Sequence, residues 1–302
     1  MAAEFVCRML RMGRLPFLLG GFLLFCMGAL AAVQMGASPD PVAFWTGYTA
    51  FGLVHLSVSY SNEYFDRIPD RAGSRTLISG GSGMLVHHPE LAPAALKLAL
   101  VLNALALTLA ASLAVAGIVS PLFISMVGLG ALLGWWYSAP PLRLVGRGLG
   151  EVSTAVTLGA LIPATGYLVM AHRFDPALIP FLVPLLCYGM IFILSVELPD
   201  MEGDRLGGKR TFVVRYGRKS SGWVIAGCAA AASLFYALFP WERGDFGILA
   251  ALSLLIMGTA GAGVLLPCES RRCLVCRAAA NLAALNAFVL LANLFLLAGI
   301  AS

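Results

Sequence analysis

The chain has 302 residues, of which 60% are hydrophobic and 12% are charged, and its mean hydropathy is +0.88. So apolar a composition excludes an ordinary soluble domain and predicts a protein that crosses the lipid bilayer several times. The formal charge of +5 requires no nucleic-acid partner, because the placement of the basic residues between apolar stretches accounts for it.

Nine apolar stretches are long enough to cross a membrane core, which requires about twenty helical residues. They lie near 15–35, 43–62, 92–118, 121–138, 150–171, 177–198, 221–240, 247–267 and 277–300. The sequence therefore predicts an all-α bundle of nine transmembrane helices. We expect one domain over residues 1–302, with two similar halves at about 1–145 and 146–302, because polar clusters follow the second and the sixth stretch.

The basic residues between these stretches predict the orientation. Eighteen of the twenty Lys and Arg residues fall on the side of the N-terminus, and only Arg173 and Arg243 fall on the other. Cytoplasmic loops carry an excess of basic residues. We therefore expect a cell-membrane protein with a cytoplasmic N-terminus, an external C-terminus and its polar clusters on the cytoplasmic side.

The first polar cluster follows the second apolar stretch and contains Asn62, Asp66, Asp70, Arg71 and Arg75. Charged groups at the mouth of a membrane helix are costly to place and are usually functional. Residues four apart share one helix face, so Asn62 and Asp66 can point together. The alternative is a solvated loop in which the Asp and Arg side chains only pair with each other.

The second polar cluster follows the sixth apolar stretch and repeats the spacing, with Asp200, Asp204, Lys209 and Arg210. Carboxylate and amide oxygens are the ligands that Mg²⁺ prefers, and substrate phosphate oxygens usually complete its coordination. Arg and Lys bind phosphate through charge-assisted hydrogen bonds. The two clusters together therefore predict a site for Mg²⁺ and a diphosphate.

Two prolines predict how the clusters are presented. Pro69 disfavours a helical conformation of the residue before it, so we expect the helix to end near Asp66. Pro199 stands directly before Asp200 and suits the first turn of a short helix.

The fourth apolar stretch ends in Tyr137 and Ser138, followed by Pro140 and Pro141. Two hydroxyl groups level with both acidic clusters are candidates for contacting a second substrate. An interfacial belt of aromatic residues is the alternative.

The seven cysteines show no disulfide framework. Cys268, Cys273 and Cys276 have spacings that suit three zinc ligands, but no fourth ligand stands nearby. We expect them to be incidental.

In combination, these motifs resemble the UbiA superfamily of intramembrane prenyltransferases over nearly the whole chain. The matching runs are Asn62-Glu-Tyr-Phe-Asp66-x-x-x-Asp70, Arg71-x-x-x-Arg75, Tyr137-Ser138-x-Pro-Pro, Gly148-Leu-Gly-Glu151 and Asp200-x-x-x-Asp204-x-x-x-x-Lys209-Arg-Thr211. The resemblance implies a helical bundle around a central cavity open toward lipid. It also implies that the two aspartate motifs bind Mg²⁺ and a polyprenyl diphosphate.

The implied reaction is Mg²⁺-dependent transfer of the polyprenyl group to an aromatic acceptor, with release of diphosphate. The run from Lys209 to Gly217 looks most like the dihydroxynaphthoate branch, which prenylates a quinone precursor. The hydroxybenzoate branch has a Lys where this chain has Pro141, so Arg143 or Arg147 is expected to supply the cation for the diphosphate, and we favour Arg143.

Two other functions stay open from the sequence. One is prenyl transfer to a non-aromatic acceptor, geranylgeranylglyceryl phosphate. The other is a membrane transporter or lipid-binding protein, against which stands the near absence of charge within the apolar stretches. Alcohol phosphotransfer to lipid headgroups is disfavoured, because the compact Asp-Gly-x-x-Ala-Arg run expected for it is absent.

Overall fold

The computed structural model describes residues 2–68, 81–239, 247–266, 268 and 270–301, and within these ranges the regular structure is entirely helical. The first seven helices are α1 (Ala2–Met12), α2 (Leu15–Gln34), α3 (Pro41–Asp66), α4 (Met84–His87), α5 (Ala92–Val115), α6 (Leu122–Ser138) and α7 (Leu144–Arg147). The next seven are α8 (Gly150–Val156), α9 (Ile162–Ala171), α10 (Leu178–Glu197), α11 (Met201–Leu206), α12 (Phe212–Leu238), α13 (Ile248–Leu265) and α14 (Arg271–Ala301). The predicted all-α class is confirmed.

Seven helical segments in the described part of the chain are long and apolar enough to cross a membrane. They are Leu15–Gln34, Pro89–Val115, Gly150–Ala171, Leu178–Leu206, Phe212–Leu238, Ile248–Leu265 and Arg271–Ile300. The chain is therefore a multi-pass membrane protein. The predicted count of nine is not confirmed, because α6 is shorter than these segments and α3, although 26 residues long, contains no stretch as apolar as those that qualify.

The boundaries of α3 follow from its end residues. Asp40 caps its N-terminus, with the side chain accepting a hydrogen bond from the Ala43 backbone N–H at 2.9 Å, and Pro41 occupies the first turn. The helix ends at Asp66, as the position of Pro69 predicts. The last turn of α3 therefore presents Asn62 and Asp66 at one end of the bundle.

The segments Gly150–Ala171 and Phe212–Leu238 are not uniform α-helices. A π-helical turn at Thr157–Leu161 joins α8 to α9 just before Pro163, where a regular helix would lose a hydrogen bond. In α12 the helical path breaks at Gly217, whose φ of 81° lies in the region that glycine tolerates best.

The helices pack into a closed ring. α3 contacts α5 and α6, α10 contacts α8, α12 and α14, and α14 returns to α2. The contact between α2 and α9 depends on two glycines, because a Cβ atom at Gly28 would lie 1.8 Å from the Pro163 carbonyl oxygen and one at Gly166 would lie 2.0 Å from that of Phe25. Such close backbone approach between small residues is the common packing device in membranes.

Candidate active site

The first acidic motif lies at the C-terminal end of α3. Asp66 is only 8% exposed, and its Oδ2 accepts a hydrogen bond from the Ser138 hydroxyl at 2.7 Å. Ser138 is the last residue of α6, so this bond joins the ends of two helices that meet at the same end of the bundle. Three predicted residues of this motif, Asp70, Arg71 and Arg75, lie outside the described residues.

The second acidic motif lies beyond α10, as Pro199 predicts. A 3-10 turn over Leu198–Asp200 leads into α11, which carries Asp204. The chain then reverses at Gly208, whose φ is 73°, and brings Lys209 back to Asp204, with its Nζ 3.4 Å from Oδ1. Both side chains of this ion pair are largely buried, so solvent screens their attraction less than it screens a surface pair.

The two motifs line one polar cavity of about 130 Å³. Its charged and polar side chains come from the ends of α3, α6 and α10, from α11, and from the segments before α2 and α12. The lining includes Arg14, Asn62, Glu63, Asp66, Tyr137, Glu197, Asp200, Asp204, Lys209 and Thr211. Residues 134 positions apart in sequence, Asp66 and Asp200, thus share one pocket.

The donor atoms of this polar cavity suit a hard cation. The Oδ1 atom of Asn62 is buried and receives no hydrogen bond from any described residue. No nitrogen donor of a described residue reaches the buried carboxylate of Glu197, which lies beside the carboxyl group of Glu151. Buried oxygens without donors are costly unless a cation or water satisfies them. Among the described residues, no three His, Cys, Asp or Glu side chains form a complete metal-binding group. The carboxylate and amide oxygens of this cavity are of the type that binds Mg²⁺, which is held through one or two carboxylates plus water and phosphate oxygens.

A second cavity of about 360 Å³ is apolar and lies between α2, α3, α8, α10 and α14. Its walls include Phe17, Leu24, Leu185, Phe192 and Leu285, and glycines of α2 and α10 open the space. His55 of α3 and Asn286 of α14 are among the few polar side chains in the lining. The space suits a hydrocarbon chain rather than a charged group.

A sequence model described as the UbiA prenyltransferase family matches residues 22–283, which is most of the chain. This protein belongs to the UbiA prenyltransferase family. The resemblance that the aspartate motifs indicated is therefore confirmed, and the family is one of prenyltransferases.

Two curated relatives of this UbiA family member are named as an octaprenyltransferase and a phytyltransferase. The 1,4-dihydroxy-2-naphthoate octaprenyltransferase of Bacillus subtilis is 23% identical over 60% of this chain and 57% of its own length. The 2-carboxy-1,4-naphthoquinone phytyltransferase of Synechocystis is 28% identical over 39% of this chain and 41% of its own length. The chain thus matches about half the length of these relatives.

A UbiA homolog from Archaeoglobus fulgidus, solved bound to GPP and Mg²⁺, has the same fold. The TM-score is 0.65, and the match covers 98% of this chain and all of the other, at 17% sequence identity. At that identity the likeness establishes the helical architecture of this chain.

The remaining predicted residues divide between neighbouring sites. Tyr137 lines the polar cavity, whereas Ser138 and Arg143 line an adjacent cleft of about 430 Å³. Lys209 lines the polar cavity, but the side chain of Arg210 is exposed and does not. The structure therefore brings Asn62, Asp66, Tyr137 and the residues of the second motif together and leaves Arg143 and Arg210 outside the polar cavity.

Sequence reasoning gave no site role to Arg14 or to three buried glutamates, although one of them, Glu151, ends a quoted motif. Arg14 reaches the polar cavity from the turn between α1 and α2, and Glu197 faces it from the end of α10. Glu63 accepts hydrogen bonds from the Ser82 backbone N–H and from its hydroxyl, the latter at 2.8 Å, and so anchors the segment that resumes at Gly81. The signal available for Glu197 was its place three residues before Asp200, at the end of an apolar stretch.

Glu151 is the third buried glutamate. It lies at the start of α8, is 4% exposed and accepts a hydrogen bond from the backbone N–H of Phe212. Phe212 begins α12, directly after Thr211 of the polar cavity. Glu151 therefore holds the start of α12 against α8.

The cysteines of the connection between α13 and α14 depart from expectation. Cys268 and Cys273 form a disulfide, with their Cα atoms 5.8 Å apart, and Cys276 is an exposed free thiol. The expectation that the cysteines of this connection are incidental is thus wrong for two of them, because a separation of five residues lets Cys268 and Cys273 come within bonding distance. Two of the three thiols whose spacing would suit zinc are thereby joined in a covalent bond.

Proposed function

We propose that this protein transfers a polyprenyl group from a polyprenyl diphosphate to an aromatic acceptor, a quinone precursor of the dihydroxynaphthoate class, with Mg²⁺ as cofactor. The observation that carries the proposal is the shared polar cavity, in which Asp66 of the first motif lies with Asp200 and Asp204 of the second. The names of the relatives in Bacillus subtilis and Synechocystis support the acceptor class.

Asn62, Asp66, Asp200 and Asp204 are the residues proposed to hold the ion, joined by Asp70 on the basis of its spacing. When bound, Mg²⁺ supplies Lewis-acid stabilisation of the negative charge that develops on the departing diphosphate. Asn62 contributes a neutral oxygen, and the aspartates contribute charge.

Lys209 and Arg14 are the basic side chains of the polar cavity, and we assign them to the diphosphate oxygens. Asp204 holds the Lys209 ammonium group in place before substrate arrives. Fixed donors at a leaving group need little reorganisation during the reaction, which makes them effective catalysts. Arg71, Arg75 and Arg210 are further candidates from the sequence.

The apolar cavity between α2, α10 and α14 is the proposed place for the start of the polyprenyl chain. It excludes water from the allylic carbon, which limits hydrolysis of the donor. The remainder of a long chain would extend into lipid.

In the proposed reaction, the bond between the allylic carbon and the diphosphate oxygen breaks, and its electron pair leaves on the diphosphate. A π-electron pair of the acceptor ring forms the new carbon–carbon bond. The ring regains aromaticity by losing a proton from that carbon, or carbon dioxide if the carbon bears the carboxylate. Ser138 is a proposed acceptor contact from the end of α6, and Tyr137, which lines the polar cavity, is the proposed contact for the reacting edge of the acceptor ring.

The basic residues support an orientation with the N-terminus in the cytoplasm and the C-terminus outside. In this orientation the ends of α3 and α10, and with them the polar cavity, face the cytoplasm. The charged head of the donor would then lie at the cytoplasmic face of the membrane, and a charged acceptor would reach the site from the cytoplasm.

The test is prenyl transfer by the purified protein in lipid nanodiscs. Polyprenyl diphosphate is offered with dihydroxynaphthoate, hydroxybenzoate, homogentisate or geranylgeranylglyceryl phosphate, and products are identified by mass spectrometry with Mg²⁺ or with EDTA. We expect a prenylated naphthoate product that disappears with EDTA. Transfer only to geranylgeranylglyceryl phosphate would overturn the acceptor class, and no transfer to any acceptor would overturn the enzymatic function.

A further inference from the structure

A cleft beside the polar cavity combines apolar walls with one guanidinium group. It has a volume of about 430 Å³, within the range of roughly 300–1,000 Å³ typical of small-molecule sites. Its lining consists of Phe65, Ile68, Ser138, Pro140, Arg143, Leu206 and Gly207. No carboxylate is among these described lining residues, in contrast to the polar cavity.

Large apolar side chains lie exposed at this cleft. Ile68 is 66% exposed and Leu206 is 73% exposed. A flat ligand in the cleft would cover both side chains. They come from different parts of the chain, the end of α3 and the end of α11. Two exposed aliphatic side chains and a proline on one cleft form a surface suited to an aromatic ring.

Arg143 is the only charged side chain in the described lining of the cleft, and its guanidinium group makes no hydrogen bond or ion pair with any described residue. Other arginines of the described chain differ, since Arg147 donates to the Pro141 carbonyl oxygen at 2.8 Å and Arg218 pairs with Glu202. The backbone of Arg143 is left-handed, with φ of 40°, a conformation that is unfavourable for a residue with a side chain. Backbone strain of this kind is concentrated at functional sites, and a guanidinium group can hold a carboxylate through two parallel hydrogen bonds.

The cleft and the polar cavity share a wall. Ser138 lines the cleft, and its hydroxyl donates to Asp66, which lines the polar cavity. A ligand in the cleft would therefore lie next to the proposed diphosphate site and still be separated from its carboxylates. An anionic acceptor gains from this arrangement, because carboxylates of the polar cavity would repel it.

We propose that the cleft is the acceptor site and that Arg143 selects an aromatic carboxylic acid. The acid group binds the guanidinium, and the ring lies against Phe65, Ile68 and Leu206. This assignment rests on the proposed function and gives Arg143 to the acceptor carboxylate instead of the donor diphosphate.

The test compares two rings that differ only in the carboxylate. Binding of 1-hydroxy-2-naphthoate and of 1-naphthol to the full-length protein in nanodiscs is measured by fluorescence, without a prenyl donor. For Arg143→Met we expect affinity for the acid to fall by about ten- to a hundredfold, the usual loss for a charge-assisted hydrogen-bonded pair, and affinity for the naphthol to stay unchanged. Arg143→Lys should restore part of the affinity. Arg205→Met, which removes an exposed charge outside the lining of the cleft, is the matched control.

A second variant tests the cleft itself. Leu206→Trp should fill it and weaken binding of both rings, with the KM for polyprenyl diphosphate unchanged. Equal binding of the acid to wild type and Arg143→Met, or a rise in the KM of the donor instead of the acceptor, would overturn the assignment. The assignment would also be overturned if Arg143→Lys, compared with Arg143→Met, restored turnover of geranylgeranylglyceryl phosphate more than turnover of the aromatic acid. Because binding is measured without turnover, a protein that binds the acid through Arg143 but transfers no prenyl group supports the cleft and refutes the proposed function.

Discussion

Replacing Asp66 by Asn tests the carboxylate-rich polar cavity most directly. Asp66 is 8% exposed and lies in the same lining as four other carboxyl side chains and two basic ones. These are Glu63, Glu197, Asp200, Asp204, Arg14 and Lys209. Asn keeps the shape and an oxygen that can accept the Ser138 hydrogen bond, so the substitution mainly removes one negative charge.

The cavity volume gives the size of the electrostatic effect. A sphere of 130 Å³ is about 6 Å across, so charges on its walls lie roughly 7 Å apart, and each pair interacts by roughly 2 kcal/mol at an effective dielectric constant of about 20. Because carboxylates outnumber basic groups in the described lining, by four to two around Asp66, removing one relieves about 4 kcal/mol more repulsion than attraction among these groups. Weakening the Ser138 hydrogen bond offsets part of this gain. We expect metal-free Asp66→Asn to be more stable than wild type by about 2–3 kcal/mol.

The same charge is needed for the ion and the diphosphate, so stability and activity should change in opposite directions. We expect prenyl transfer to fall by at least about a hundredfold, and Mg²⁺ to lose its stabilising effect. Unfolding in nanodiscs with EDTA and with Mg²⁺, together with product analysis by mass spectrometry, measures both. Glu202→Gln is the control, because Glu202 is 62% exposed and paired only at the surface with Arg218.

Either of two results would refute this reasoning. One is turnover by Asp66→Asn close to that of wild type. The other is a metal-free variant that is less stable than wild type and still gains stability from Mg²⁺.

Three further predictions concern packing, donor length and the disulfide. Gly28→Val should destabilise the fold by roughly 3 kcal/mol or more, since a Cβ would collide with the Pro163 carbonyl oxygen, whereas Gly128→Ala, which meets nothing within 4 Å, should be nearly neutral in thermal unfolding. Leu285→Trp should narrow the apolar cavity and shift product profiles toward shorter prenyl groups, and an unchanged profile would argue against that cavity as the tail site. Cys273→Ala should leave prenyl transfer unchanged, as the disulfide lies outside the lining of both cavities, and a large loss would contradict this.

Several elements could be predicted because their causes are local. Apolar length alone indicates membrane helices, and Pro69 accounts for the end of α3 at Asp66. The aspartate spacing in each motif identified residues that lie in one polar cavity. The count of nine spans was less secure, because serines, tyrosines and a histidine make α3 polar, and α6 is short.

The sequence by itself determined that this is a helical membrane protein with two acidic helix ends, since hydrophobicity and residue spacing are properties of short stretches. Only the tertiary structure decided which ends meet, that Ser138 binds Asp66, that Glu197 faces the aspartates, and that Arg143 lies in a separate cleft. These relations depend on how distant helices pack, and a contact such as Gly28 against Pro163 sets the approach of two helices more than a hundred residues apart.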